Sequence, residues 1–394
     1  MSNEITKEPE IRFDGYKGDW EQRKLGESVK FINGRAYKQN ELLDCGKYRV
    51  LRVGNFNTND RWYYSDLELD CNKYANTGDL LYLWATSFGP EIWSEEKVIY
   101  HYHIWKLLIE ENSINKQYLY TWLLTDKERI KQSTNGTTMV HITKGNMEIR
   151  EFQFPKKITE QKLIGMFFKK IDDTTALHQR ELDLLEQTKQ TYLQKMFPKT
   201  GEDKPEIRFA GFIDAWKQRK LGDVFTERSE RSSEGELISV TINSGVVKAS
   251  ELDRKDNSSN DKSNYKKVEV GDIAYNSMRM WQGASGYSSY DGILSPAYTV
   301  IIPKEGIDSK FFAYDFKRYD MIQTFKRNSQ GLTSDTWNLK FPTLKSVKVM
   351  VPCMEEQTKI SNFFERLDTT IALHQRELDS LKEMKKTLLQ KMFV

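Results

Sequence analysis

Residues 160–197 read EQKLIGMFFKKIDDTTALHQRELDLLEQTKQTYLQKMF, and residues 356–393 read EQTKISNFFERLDTTIALHQRELDSLKEMKKTLLQKMF. The two stretches are identical at 23 of 38 positions and lie 196 residues apart. Neither contains proline, and the one glycine is Gly165. Apolar residues recur every three to four positions among strong helix formers, which predicts two long helices. A helix of 38 residues is about 57 Å long.

A heptad frame predicts how these helices pack. Their a and d positions are Ile164, Phe168, Ile171, Thr175, His178, Leu182, Leu185, Lys189, Tyr192 and Met196 in the first helix, and Ile360, Phe364, Leu367, Ile371, His374, Leu378, Leu381, Lys385, Leu388 and Met392 in the second. Seven and eight of these ten positions are apolar, which favours a coiled coil. The alternative is that each helix packs only on its own domain.

The seam carries one histidine in each helix, His178 and His374, close to the middle. Polar residues at a positions fix the register of coiled coils. In an antiparallel pair the midpoints meet, so we expect the two rings to be buried and to face each other as a register layer. A metal or catalytic role has no second ligand nearby in the sequence to support it.

A second, shorter repeat lies near the start of each half of the chain. Residues 9–27 (PEIRFDGYKGDWEQRKLGE) and 205–223 (PEIRFAGFIDAWKQRKLGD) share 12 of 19 positions, again at an offset of 196. A short polar linker, residues 198–204, joins the two halves of the chain. The first QKMF sequence therefore runs directly into the second repeat. By analogy, we expect the N-terminal repeat to lie beside the end of the second helix, in a nearly cyclic arrangement.

Two blocks, residues 28–159 and 224–355, lie between the shorter repeats and the long helices. Each holds 132 residues, but they share little sequence, and we call them the variable blocks. Both mix β-type runs, such as DLLYLWA and YTVIIP, with helical stretches near residues 114–133 and 308–326. Both also contain a Gly-Asp turn before a strand. We therefore predict an α+β protein of two globular domains joined by two long coiled-coil helices, with a pseudo-twofold internal repeat. The predicted segments are 1–159 and 205–355 for the domains with their repeats, 160–197 and 356–394 for the helices, and 198–204 for the linker.

Candidate DNA-contacting residues are those that suit base edges or phosphates and lie in glycine-bearing or turn-like sequence. In the first block they are Arg49, Arg52, Asn55, Asn57, Arg61, Asn135, Gly136, Thr137 and Thr138, and in the second they are Arg279, Trp281, Lys326, Arg327, Ser329 and Gln330. The alternative for any one of them is an ordinary solvated loop.

Composition limits the remaining possibilities. Sixty basic and 57 acidic residues give a net charge of +3, which excludes a nucleic-acid coat that binds by charge alone. The three cysteines form no metal-binding or disulfide pattern. No run of 18 apolar residues and no apolar leader occurs, so we predict a cytoplasmic protein without membrane contact. Phosphate-binding loops and signatures of metallohydrolases, serine hydrolases or amino-methyltransferases do not occur, so we expect a binding protein without catalytic or metal sites.

Taken together, the W-x-Q-R-K-L-G repeats, the helices that open with Glu-Gln and carry ALHQREL, and the two variable blocks of equal length resemble the specificity subunit of type I restriction-modification systems. The resemblance covers essentially the whole chain. It implies that the variable blocks are target recognition domains, each reading half of an asymmetric bipartite target in double-stranded DNA. It also implies that the helices form an antiparallel coiled coil that sets the spacing between the half-sites.

The resemblance further implies the partners. The shorter repeats and the long helices together form a repeated frame. Two modification subunits would dock on this frame, carry S-adenosylmethionine and methylate adenine N6. Two restriction subunits would add ATP- and Mg²⁺-dependent translocation and cleavage. This chain itself would bind no cofactor. Two other interpretations remain open at this point, a coiled-coil adaptor that does not read DNA and an enzyme with an unrecognised site in a variable block.

Overall fold

The computed structural model describes residues 8–57, 59–85, 87–110, 112–133, 142–253 and 258–393. The chain divides into two compact units. Unit 1 consists of residues 1–179 and 376–394, and unit 2 of residues 180–375. Both boundaries fall within the repeated helical stretches, so each unit contains one half of each long helix. The units therefore cut across the helical segments defined from the sequence.

The first half of the chain contains ten labelled strands and four helices among its described residues. The strands are β1 (Glu21–Lys24), β2 (Val29–Asn33), β3 (Tyr48–Leu51), β4 (Tyr63–Ser65), β5 (Tyr74–Ala75), β6 (Leu80–Leu83), β7 (Gly89–Ile92), β8 (Val98–Tyr100), β9 (Ile104–Ile109) and β10 (Glu151–Phe154). The helices are α1 (Leu25–Ser28), α2 (Lys116–Ser133), α3 (Lys144–Glu148) and α4 (Ile158–Lys195).

The second half follows the same plan. Its strands are β11 (Lys217–Lys220), β12 (Phe225–Glu227), β13 (Ile238–Thr241), β14 (Gly245–Lys248), β15 (Lys266–Val268), β16 (Ile273–Asn276), β17 (Ser285–Tyr287), β18 (Gly292–Leu294), β19 (Tyr298–Pro303) and β20 (Lys348–Val351). Its helices are α5 (Leu221–Val224), α6 (Ser309–Asp315), α7 (Tyr319–Asn328), α8 (Phe341–Leu344) and α9 (Met354–Met392).

The two variable blocks share one sheet topology although their sequences differ. The four-stranded sheet of unit 1 has the order β2-β9-β6-β7, and that of unit 2 has the equivalent order β12-β19-β16-β17. A second sheet in unit 1, β4-β3-β8-β5, corresponds in unit 2 to the pairs β13-β14 and β15-β18. There, the parallel β3-β8 pairing is reduced to a single bridge between Leu237 and Ile293. The α+β class predicted from the sequence is confirmed.

The Gly-Asp turns occupy equivalent positions in front of β6 and β16. The backbone φ is +86° at Gly78 and +100° at Gly271, a left-handed conformation that glycine adopts without a steric penalty. The following aspartate closes the turn in both units, and each accepts hydrogen bonds from a basic side chain. Asp79 receives Lys106 Nζ at 2.6 Å, whereas Asp272 receives the Arg228 guanidinium at 2.7 and 3.0 Å.

Removing the charge of Asp272 is expected to destabilise unit 2. The side chains of Arg228 and Asp272 are only 6% and 3% exposed, so Asp272→Asn leaves a buried guanidinium with weaker compensation. We expect the free energy of unfolding to fall by about 3 kcal/mol. Hydrogen exchange of the amides of β15 to β19 measures this loss. Asp79→Asn is the matched control: its side chain is 26% exposed, so the loss in unit 1 should be clearly smaller.

The long helices and their apolar seam are confirmed. Helix α4 contains 38 residues and α9 contains 39, and all twenty predicted seam positions are buried or half-buried. No helix among the described residues has the length and apolar character needed to cross a membrane.

Within each unit the two helical segments run antiparallel. In unit 1, Lys385 of α9 pairs with Asp172 of α4. In unit 2, Lys189 of α4 pairs with Asp368 of α9 at 2.5 Å. These pairs are related by the 196-residue offset with the helices exchanged. The two seam lysines therefore reach acidic partners at the flank of the seam, which explains how a basic residue is tolerated there.

The N-terminal repeat of each unit closes on the end of a long helix. In unit 1, Ile11 N donates to Lys391 O at 3.1 Å, and in unit 2, Ile207 N donates to Lys195 O at 2.8 Å. The expected contact of the N-terminal repeat with the end of the second helix is therefore present. Unit 1 takes its QKMF sequence from the end of the chain, and unit 2 takes it from the end of α4. The indole of Trp20 contacts Phe393, and that of Trp216 contacts Phe197.

Identical residues of the repeats form the same buried bonds in both units. Arg12 donates two hydrogen bonds to Glu160 at 2.7 and 3.0 Å, and Arg208 donates two to Glu356 at 2.6 and 2.7 Å. The carboxylates are 1% and 0% exposed. Paired, charge-assisted bonds in a buried setting demand fixed geometry. This demand explains why the repeats resemble each other more closely than the blocks between them.

One helical stretch predicted from the sequence is interrupted. Residues 308–326 form two helices, α6 and α7, with a break at 316–318. The break contains neither proline nor glycine. Instead, Arg318 bonds to the buried Asp315 at 2.8 Å and to Pro198 O at 2.9 Å, while Lys317 Nζ donates to Ile242 O and Gly283 O. Tertiary hydrogen bonds therefore end α6 where the local sequence would continue it.

Candidate nucleic-acid interface

Arg49, the first candidate in unit 1, lies on β3 and is held by other side chains. Its guanidinium lies 4.5 Å from the centre of the Trp62 ring and pairs with Glu95 at 2.8 Å and Glu96 at 3.1 Å. The side chain is 18% exposed. These contacts tie the strand to the turn at 95–96, so the structure gives Arg49 an architectural task. A contact with DNA stays a prediction.

The candidates Arg52, Asn55 and Arg61 shape one loop, residues 52–61. Asn55 Nδ2 donates to the carbonyls of Asn59 and Arg61 at 3.1 and 3.2 Å, and its Oδ1 accepts from Arg52 N. The Arg52 guanidinium donates to Arg61 O at 2.9 Å and lies over the Tyr63 ring. Arg61 is the outward-facing member, because its side chain is 66% exposed.

Asn57 connects this loop to the turn between β6 and β7. Its Nδ2 donates to Ser87 Oγ at 3.1 Å. The same turn carries Trp84, whose ring stacks on Trp105 with centroids 5.8 Å apart and meets His103 edge-on at 4.9 Å. Sequence reasoning missed this aromatic group. The sequence feature that could have indicated it is the run YHYHIW at residues 100–105, in which aromatic rings follow one another along the end of a strand.

His101 in this run gives unit 1 a pH-dependent stability. Burial, with the nearby charges of His103 and Arg52, lowers the pKa of the imidazole to about 4 from its usual 6.5. The imidazole of the unfolded chain takes up a proton as the pH falls through 6.5, whereas that of the folded chain stays neutral down to about pH 4. The contribution of His101 to stability is therefore fully present above pH 6.5 and is lost as the pH falls from 6.5 to 4.

We expect the free energy of unfolding of unit 1 to fall by about 1–2 kcal/mol between pH 7 and pH 5. Urea unfolding at the two pH values, followed through the tryptophans of unit 1, measures the loss. The glutamine of His101→Gln cannot be protonated, so the difference in unfolding free energy between the two pH values should be smaller by the same amount. An unchanged difference in the variant would assign the pH dependence to other groups.

The remaining candidates of the first block, Asn135, Gly136, Thr137 and Thr138, lie outside the described residues. They follow α2 and precede α3. The equivalent segment of unit 2, between α7 and α8, is described and contains further candidates.

In unit 2 the structure brings the two groups of candidates together. Arg279 and Trp281 lie in the turn between β16 and β17, which is equivalent to the turn that carries Trp84 in unit 1. Trp281 meets Trp337 edge-on, with centroids 5.2 Å apart, and Lys326 Nζ lies 5.7 Å from the Trp337 ring centre. Trp337, which the sequence analysis did not select, therefore joins residues 279–281 to residues 326–330.

Lys326 and Arg327 lie in the last turn of helix α7, and the next two candidates shape the loop that follows. Ser329 Oγ caps the helix by donating to Phe325 O at 2.8 Å, and the backbone of Gln330 pairs with Asn338 at 3.0 and 2.8 Å. Among the described residues, Arg279, Lys326 and Arg327 form no salt bridge, and all three are exposed. We call Arg279, Trp281, Lys326, Arg327 and Trp337 the unit 2 basic surface. Exposed cations beside aromatic rings suit a phosphate backbone and its bases.

The seam histidines have carboxylate neighbours within their own units. His178 Nδ1 lies 3.6 Å from Glu377 in unit 1, and His374 Nδ1 lies 3.6 Å from Glu181 in unit 2. Their side chains are 23% and 22% exposed, so the rings are half-buried and not fully buried as expected. A register layer in which the two rings face each other stays a prediction.

The three cysteines are free and exposed.

Comparison with known proteins identifies the family. The family model described as type I restriction modification DNA specificity domain matches residues 17–187 and again residues 213–383. The two matches are offset by the same 196 residues as the internal repeat.

Individual relatives agree with this match over most of their length. The type I restriction enzyme MjaVIII specificity subunit of Methanocaldococcus jannaschii is 23% identical, over 94% of this chain and 91% of its own. The type I restriction enzyme EcoBI specificity subunit of Escherichia coli is also 23% identical, over 88% of this chain and 79% of its own.

A solved structure shares the fold. The crystal structure of the S subunit of a type I restriction-modification system from M. genitalium superposes with a TM-score of 0.64 at 17% identity, over 98% of this chain and 99% of that one. The doubled family match, the repeated frame and the paired domains lead to one conclusion: the chain belongs to the type I restriction-modification DNA specificity family.

Proposed function

We propose that this chain is the DNA sequence-recognition subunit of a type I restriction-modification complex and reads an asymmetric bipartite target in double-stranded DNA. The observation that carries the proposal is the contrast between frame and domains. The bonds of Arg12 with Glu160 and of Arg208 with Glu356 are the same in both units, and so is the strand order. The surface residues at the equivalent turns differ, with Trp84 and Ser87 in unit 1 and Arg279 and Trp281 in unit 2. Two such surfaces read two different half-sites.

The repeated frame also fits two identical partners. Leu177 in unit 1 and Leu373 in unit 2 lie in the identical ALHQREL sequences and are 52% and 48% exposed. Equivalent apolar positions on a pseudo-twofold frame offer the same contact twice. The partners we infer are two modification subunits, which bind S-adenosylmethionine, and two restriction subunits, which use ATP and Mg²⁺. This chain contributes recognition and no catalysis, and we place the complex in the cytoplasm with the DNA.

A coiled-coil adaptor that does not read DNA is the less favoured alternative. It accounts for the helices but gives no reason for two domains of equal topology with divergent surfaces.

Competition binding tests the proposal. The assembled complex with modification subunits is expected to bind one bipartite target, identified by methylation sequencing, about 10³-fold or more tightly than unrelated DNA. Scrambling either half-site alone should abolish that preference. Equal binding of intact and scrambled duplexes would refute sequence recognition.

The frame contact has its own expected result. Leu177→Glu places a charge in one of the two equivalent apolar contacts, and Leu373→Glu does so in the other. Each variant should lose one modification subunit, and the double variant should lose both. Native mass spectrometry counts the subunits. Ile213→Glu, at a residue that is 78% exposed outside the helices, is the control and should retain both partners. Retention of both subunits in the double variant would contradict the proposed docking site.

A further inference from the structure

Leu332 is the most exposed large apolar residue of the described chain. Its relative exposure is 101%, and it lies at the tip of the loop between α7 and α8. An isolated surface leucine is common in soluble proteins. This one projects fully from a loop that adjoins the unit 2 basic surface.

The loop that carries Leu332 is a closed and internally bonded finger. The backbones of Gln330 and Asn338 pair at its neck, and Leu339 N donates to Ser277 O at 2.8 Å at its base. Near the tip, Thr336 N donates to Thr333 O at 2.9 Å, and Thr333 N donates to Thr336 Oγ1 at 3.1 Å. We call residues 330–338 the finger.

Gly331 fixes how the tip leaves the neck. Its φ is +151°, and a Cβ at this position would lie 2.6 Å from Thr336 O. The backbone therefore passes too close for any other residue. A leucine displayed by such a bonded loop is presented to a ligand with little further loss of conformational freedom.

The charges around the finger indicate the ligand. Lys326 and Arg327 lie at the end of the helix before it, and Arg279 lies in the turn beside Trp281. The finger itself carries one acidic residue, Asp335, so the local balance is three positive charges against one negative. The side chain of Trp337 links the finger to Trp281. Exposed cations close to a loop that displays an apolar side chain match duplex DNA, in which phosphates flank an apolar base stack.

We propose that Leu332 inserts into the base stack of the half-site that unit 2 reads and acts as a wedge between neighbouring base pairs. This inference rests on the proposed function and adds a mechanical step to it. Lys326, Arg327 and Arg279 hold the phosphates on either side, and the finger then drives the leucine into the opened step. Insertion lowers the cost of unstacking, which DNA-modifying enzymes must meet when they extract a target base.

The test uses the complex of the full chain with its modification subunits and the target found by methylation sequencing. Leu332→Ala removes the wedge, Leu332→Met keeps an apolar side chain of similar length, and Ile213→Ala removes an exposed apolar residue elsewhere in unit 2. Each is titrated against the intact duplex and against duplexes with a single abasic site at successive positions of each half-site.

Insertion predicts a specific pattern of affinities. Leu332→Ala should bind the intact duplex about tenfold more weakly, whereas Leu332→Met and Ile213→Ala stay within about threefold of the parent. The defect of Leu332→Ala should shrink when an abasic site has already opened one step of one half-site. 2-Aminopurine at that step should brighten with the parent complex and less with Leu332→Ala.

Three results would overturn the wedge. Unchanged affinity of Leu332→Ala for the intact duplex excludes a role in binding. An equal defect on every abasic duplex indicates a surface contact without insertion. Loss of modification subunits from the variant in size-exclusion chromatography indicates a protein partner at Leu332. A failure of the proposed function itself is separate, because the parent complex would then bind scrambled duplexes as well as the target.

Discussion

Exchanging residues 28–159 for the corresponding block of another family member is expected to change one half of the DNA target and leave the other half unaltered. The lost half-site should cost at least about 10³-fold in affinity when the old target is offered to the exchanged protein. Recognition of the second half-site depends on residues 224–355, which the exchange does not touch.

The structure explains why such an exchange leaves the fold intact. The frame and the block share one apolar core, and hydrogen bonds from the frame to the block end on main-chain atoms of the block. Gln161 Oε1 accepts from Asn115 N at 2.8 Å, and its Nε2 donates to the carbonyls of Ser113 and Pro155 at 2.8 Å. Strand β1 pairs with β10 in a backbone register from Glu21 opposite Phe154. Bonds to main-chain atoms do not depend on side-chain identity, so a block of the same topology meets the same partners.

Methylation sequencing of DNA from cells that carry the exchanged complex reads both half-sites at once. Exchange of residues 224–355 is the matched control, since Gln357 makes the equivalent bonds to Asp308 N, Gly306 O and Pro352 O, and it should change the opposite half-site. A change in both half-sites after a single exchange would show that the two domains do not read DNA independently.

Lengthening both long helices by one heptad is expected to lengthen the spacer of the target. The insertions belong between residues 179 and 180 and between 375 and 376, where the two units divide. There they leave the pairs Asp172–Lys385 and Lys189–Asp368 in register within their units. Seven residues add about 10 Å of helix, which corresponds to at most about 3 base pairs of duplex DNA. A heptad also nearly preserves the helical phase.

The measurement is again the methylated sequence, scored for spacer length with both half-sites held constant. The control inserts the heptad into α4 alone. This chain must leave one helix unmatched, so we expect a less stable complex. A normal complex with both insertions and an unchanged spacer would refute the view that the helices set the spacing.

Much of the architecture followed from the sequence because it rests on repetition and periodicity. The offset of 196 residues identified the repeated frame, and the heptad seam identified α4 and α9 within two residues at each end. The Gly-Asp turns also had recognisable signals, since a left-handed backbone position calls for glycine. These features are local, or they recur at a fixed interval, so one chain without relatives is sufficient to detect them.

The candidate recognition surface was harder to predict because its residues are brought together across sheets. Arg52 and Asn55 have residue types suited to DNA, yet the structure uses their hydrogen-bonding groups to build a loop. Trp337 and Leu332 had no motif, and only the packing of residue 337 against Trp281 shows that two separate candidate groups form one surface. Residue type indicates what a side chain can bind, whereas neighbours decide whether it is free to do so.

The sequence by itself determined that this protein is a repeated frame around two unlike domains. The tertiary structure decided that these unlike sequences adopt one strand order, and that each compact unit is completed by a helix end from the other half of the chain. The physical reason is the range of the interactions. Periodic apolar positions act along one helix and appear in any window of sequence, whereas contacts such as those of Arg12 with Glu160 and Trp20 with Phe393 join residues 148 and 373 positions apart.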